Sequence, residues 1–130
     1  MDKNQFLNLY GMMMADGIMH PNEMAELYRI GMEHFGLTPA EINETVKDGG
    51  YNTEVVVPES PADRLQLLYD MAVIAWADGE IQSDEKELLK RYAKEYGMDE
   101  TLIEQFVDYL LEQVKDKVSF DDLLEQLKDE

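Results

Sequence analysis

Two acidic pairs with the same spacing are the residues of this chain best suited to chemistry. Asp16 is followed by Gly17 and, seven positions after the aspartate, by Glu23; Asp78, Gly79 and Glu85 repeat the arrangement. Carboxylate oxygens are hard ligands that suit calcium, magnesium or manganese. An EF-hand loop places ligands at positions 1, 3, 5, 7, 9 and 12, with glycine at 6 for a sharp turn. With Asp78 at position 5, Gly79 falls at 6, Ile81 at the apolar position 8 and Glu85 at 12. The first half of such a loop is missing. Positions 1 and 3 are Ile74 and Trp76, and in the earlier segment Met12 and Met14, none of which carries a side-chain oxygen. Asp78, the Glu80 carbonyl and a bidentate Glu85 supply about four ligands where calcium takes 6–8. A cation here would be hydrated and weakly held, roughly in the 10⁻⁴–10⁻³ M range.

The same residues have a purely structural use. Asp-Gly is ordinary turn chemistry, because aspartate bonds nearby backbone N–H groups and glycine accepts positive φ. A glutamate in the first turn of a helix stabilises it by about 0.3–1 kcal/mol without any metal. Repetition does not separate these readings, since a repeated turn needs the same residues as a repeated site.

Other chemistries find little support. The chain has no cysteine, which removes thiolate metal sites, disulfides and cysteine nucleophiles. Its two histidines, His20 and His34, form no zinc-type pair. Gly49-Gly50 is a linker signal rather than a phosphate loop, and no Ser-His-Asp or paired-glutamate arrangement stands out. The expectation is a protein without catalytic residues, a metal-dependent hydrolase using the acidic residues being a remote alternative. The nine methionines, Met12-Met13-Met14 among them, are expected mainly in the core.

The elements that position the acidic pairs are helices. Phe6, Leu9, Tyr10, Met13 and Met14 recur at helical spacing before the first Asp-Gly, and Leu65, Leu68, Met71, Ala72 and Ala75 before the second. Ala72 to Ala77 is apolar all round, as in a helix buried at the centre of a domain. Pro21 and Ser83 mark helix starts, and Gly36 and Gly97 mark stops. Thr38 with Glu41, Ser60 with Asp63, Asp99, and Ser119 with Asp122 predict further starts, with Val118 stapling against Leu123. The helix from Asp99 carries Leu102, Ile103, Phe106, Leu110 and Val114 as its apolar stripe. About seven helices follow, in a compact all-α bundle with internal pseudo-twofold duplication. Copy one covers about 4–48, a linker 49–60 and copy two about 61–128 of one domain, 1–130. Val55-Val56-Val57 is a candidate extended piece within the linker.

The Ala-Asp-Gly motif followed by glutamate, in both copies, resembles the tellurite-resistance TerB-like domains. Their pattern is an apolar helix, Ala-Asp-Gly, a short turn and a Glu-bearing helix. The resemblance runs from about Met12 to Val114 and is closest from Ile74 to Leu89. It implies an all-helical fold and acidic residues linked to metal binding, here Asp78 and Glu85, then Asp16 and Glu23. The first copy departs from the pattern with Met19-His20-Pro21 in its turn. What the resemblance implies about function is a non-catalytic interaction module tied to stress, tellurite or metal response. A dedicated divalent-cation sensor or buffer is the alternative.

Charge narrows the partners. Twenty-nine acidic against eleven basic side chains give a formal net charge of −18. That field repels nucleic acid, anionic lipid and the tellurite anion itself, and favours cations or a protein partner with a basic surface. A homodimer is also compatible. The N-terminal residues have no basic segment leading into an apolar core, and the longest apolar run, Met71 to Ala77, is far below the roughly 20 residues that span a bilayer. No membrane insertion and a cytoplasmic location are expected.

Overall fold

The computed structural model describes residues 3–13, 21–49, 57–77, 79, 81 and 83–128. Among them are seven helices and no strand: α1 Lys3–Met13, α2 Pro21–His34, α3 Pro39–Gly49, α4 Pro61–Trp76, α5 Ser83–Glu95, α6 Glu100–Lys115 and α7 Phe120–Lys128. No helix of the described residues is long and apolar enough to cross a membrane. Val55 and Val56 lie outside the described residues; Val57 has no regular structure and is exposed.

The helices begin and end where local chemistry demands. At α3 the Thr38 N–H donates to Glu41 Oε1 and the Glu41 N–H to Thr38 Oγ1, both at 3.1 Å, a complete capping box. Asp99 caps α6 by accepting from the Thr101 N–H at 2.9 Å, and Ser119 accepts from the Asp122 N–H at 3.2 Å before α7. Two expected starts differ. Ser60 precedes α4 in extended conformation without a side-chain capping bond, and the start rests on Pro61, whose missing N–H costs nothing there. Ser83 is the first residue of α5 rather than its cap.

Both predicted stops hold, with Gly36 at φ 66° and Gly97 at φ 92°. After α5 the Met98 N–H donates to the Ala93 carbonyl at 3.1 Å and the Gly97 N–H to Lys94 at 3.0 Å, the paired bonds of a Schellman end. The end of α6 makes the same two bonds, from Val118 to Gln113 and Lys117 to Val114, each at 3.0 Å, but places Lys117 at φ 62° where glycine belongs. A left-handed non-glycine residue costs roughly 1–2 kcal/mol, part of which glycine returns through its freer unfolded chain. Lys117→Gly is therefore expected to stabilise the protein by about 0.5–1 kcal/mol, read as a higher urea midpoint at unchanged slope.

The core centres on α4, which buries Leu67, Leu68, Met71, Ala72, Ile74 and Ala75 against α1, α2, α5 and α6. Phe6, Leu9 and Met13 of α1 face it, and Leu27 and Ile30, Leu89, and Ile103, Val107 and Leu110 close the sides from α2, α5 and α6. Methionine is divided: Met13 and Met71 are in the core, whereas Met32 is exposed. Two sequence expectations need correction. Val73 and Trp76, within the stretch that is apolar all round, are only half-buried and open onto a surface cleft. Leu102, in the apolar stripe of α6, is 53% exposed.

Candidate functional site

Glu23 and Glu85 occupy matching places, each in the first turn of a helix, α2 and α5. Both are buried, at 1% and 2% exposure. A glutamate whose only task is to face a helix N-terminus can remain in water. Removing its carboxylate from water costs several kcal/mol, more than helix-end attraction returns, so close polar or cationic company is required. Asp16, Asp78 and His20 lie outside the described residues. Gly79 takes φ 87° and donates its N–H to the Trp76 carbonyl at 2.9 Å, the sharp turn expected after α4. Among the described residues no three His, Cys, Asp or Glu side chains gather into a metal-holding group.

A second arrangement was not legible in the sequence. Asp70 of α4 is fully buried, and its Oδ2 lies 3.0 Å from His34 Nδ1 while its Oδ1 accepts from Gln66 Nε2 at 3.0 Å. With the carboxylate as acceptor, Nδ1 carries the proton and Nε2 is left for other partners. Burial pushes the Asp70 carboxyl above its ordinary range, with His34 and Gln66 pulling the other way. The hydrogen bond to Asp70 raises the His34 imidazole above its ordinary value, although partial burial opposes this. One signal was available: Asp70 falls three residues after Leu67 and directly before Met71, on the stripe that must face the core.

His34 and Asp70 line a cleft of about 350 Å³ between α2, α4 and the start of α7. A neighbouring hollow of about 430 Å³ shares Arg29, Tyr69 and Val73 with it and reaches Trp76 and Lys117. Its walls are tied in place. The Tyr69 hydroxyl donates to the Val118 carbonyl at 2.7 Å, and Trp76 Nε1 to the Leu111 carbonyl at 2.8 Å. Elsewhere, the helices after Asp99 carry a shallow apolar hollow of about 250 Å³, lined by Leu102, Phe106, Tyr109 and Leu127.

Comparison with known protein families, with characterised proteins and with solved structures finds no match.

Proposed function

We propose that this chain is a non-catalytic interaction module of the TerB-like kind, which holds a divalent cation weakly at its two Asp-Gly turns. The observation that carries the reading is the matched burial of Glu23 and Glu85, sixty-two residues apart, each beside an Asp-Gly pair. Two carboxylates taken out of water at equivalent points are what a repeated cation site needs and what a solvated helix cap does not. An internal duplication fits the packing: α1 packs against α2 and α3 as α4 does against α5 and α6, and α1 and α4 pack against each other. The tellurite and stress connection rests on the sequence resemblance. With no cysteine to act on an oxyanion and a charge of −18 to repel it, such a role would be indirect, through a protein partner with a basic surface.

Thermal unfolding in EDTA, then in calcium, magnesium, manganese or zinc, tests the cation. For a dissociation constant of 10⁻⁴–10⁻³ M, about 10 mM of the right cation stabilises the fold by roughly 1.4–2.7 kcal/mol, several degrees in melting temperature. Asp78→Asn/Glu85→Gln should abolish the part of the rise due to the second turn. Equal rises with every cation, surviving the double substitution, would mean screening of a −18 surface and would sink the cation reading.

A further inference from the structure

The cleft beside the His34–Asp70 pair, whose second hollow runs to Ala77 directly before the Asp78-Gly79 turn, has a chemical character distinct from that of the buried glutamates. On a chain with eleven lysines and arginines, Arg29 lines both of two adjoining hollows, with His34 in the first and Lys117 in the second. Of the three acids lining the hollows, Asp70, Glu26 and Asp121, the first two are already engaged. Both Asp70 oxygens accept hydrogen bonds, from His34 and Gln66, and Glu26 Oε2 takes two N–H groups of Arg29. The cations keep spare donors. Arg29 spends three of its five N–H groups on Glu26 and Glu33, leaving one on each terminal nitrogen. His34 spends Nδ1 on Asp70 and retains Nε2. The aromatic and apolar lining comes from Tyr69 and Val73 in both hollows, Phe120 in the first and Trp76 in the second, where Lys115 Nζ stands 5.8 Å from the Trp76 ring centroid.

We propose that this cleft binds a small aromatic carboxylate, its carboxylate taken by Arg29 and His34 Nε2 and its ring lying along Tyr69, Val73 and Trp76. Three observations select this class. The hollows, about 350 and 430 Å³, fall in the range that small-molecule sites occupy. The spare groups of Arg29 are donors, and His34 Nε2 joins them when the imidazole is protonated, which suits an anion rather than a cation. Asp70, Asp121 and Glu26 stand close by within a strongly acidic molecule, so a single negative charge is tolerated where the double charge of a phosphate is repelled. Asp70, buried and bonded to Nδ1, holds the imidazole with Nε2 available, as fixed partners do for binding histidines elsewhere.

Trp76 is the only tryptophan and lines the second hollow, so its fluorescence reports on occupancy. The full chain in EDTA is titrated with phenylacetate, with the uncharged phenylacetamide and with inorganic phosphate. Phenylacetate should give a saturable change in emission, with the amide and phosphate at least tenfold weaker. Arg29→Gln and His34→Gln should each weaken phenylacetate binding at least tenfold, while the variants keep cooperative melting. Arg29→Gln serves alone should the histidine variant fail to fold. Binding should also weaken as pH rises through the raised pKa of His34. The other charged or titratable groups facing it are Arg29 and Glu33 of α2, Tyr69 and Asp70 of α4, and Asp121 of α7. No saturable change, equal binding of amide or phosphate, indifference to Arg29→Gln, or a flat pH profile would each overturn the assignment.

Discussion

Phe6→Ala is expected to destabilise the protein by about 3–5 kcal/mol, the usual range for emptying a buried aromatic site. Phe6 is wholly buried where α1 meets α2 and α3. Its ring meets Phe35 edge-on, with centroids 5.5 Å apart and planes at 73°, a contact worth about 0.5–1.5 kcal/mol beyond area alone. The site has little capacity to collapse, because Ile42 and the close backbone approach at Gly31 already fill its far side. A Cβ on Gly31 would stand 2.8 Å from Ile42 Cδ1 and 3.0 Å from Phe6 Cε2. Urea unfolding of Phe6→Ala should show a lower midpoint at unchanged slope. A loss below about 1.5 kcal/mol would mean that α1 shifts to fill the space and that the packing is looser than described. The same geometry couples two sites. Gly31→Ala alone should cost about 1–3 kcal/mol through overpacking, and less in the Phe6→Ala background, where one of its two clashes is gone.

His34→Ala should cost about 3 kcal/mol near pH 6. Removing one member of a buried charged pair leaves the other in a low-dielectric site and costs about 3–5 kcal/mol. The lower end applies because the His34 side chain is 29% exposed while that of Asp70 is 1%. The pH dependence follows from the directions of the two shifts. His34 has a folded pKa above its ordinary 6.5, chiefly through its hydrogen bond to Asp70. While Asp70 is ionised, its contribution is therefore fully present below about 6.5 and is lost as pH rises through the folded value. Asp70 is also raised, from 3.8, by burial, so its own contribution is present below about 3.8 and is lost as the folded carboxyl ionises. Imidazolium offsets that loss only while both groups are charged. The gap between the native protein and His34→Ala should accordingly widen as Asp70 ionises and narrow again above the His34 transition. Chemical denaturation at a series of pH values measures the gap. A constant gap across that range would mean that the pair contributes shape and a neutral hydrogen bond, but no charge coupling.

Structure that closes within a few residues was readable from residue types and spacing. The Thr38–Glu41 capping box, the Asp99 cap, the Gly97 Schellman end and the sharp turn at Gly79 are each made between groups no more than five positions apart. Their energetics are complete before any helix meets another. Apolar spacing likewise predicted seven helices and most of the core, because a stripe at 3.6-residue period has only one way to leave water. Spacing does not say which polar group shares that stripe. Asp70 and His34 are thirty-six residues apart and become partners only when α2 crosses α4. The same limit applied to Leu102, whose place in the α6 stripe did not reveal its exposure, and to Glu23 and Glu85. Their positions in the first turns of α2 and α5 were evident, and their burial was not. Turns and caps are fixed by covalent proximity, whereas the burial of a charge depends on every surface brought against it. That is set when the helices pack.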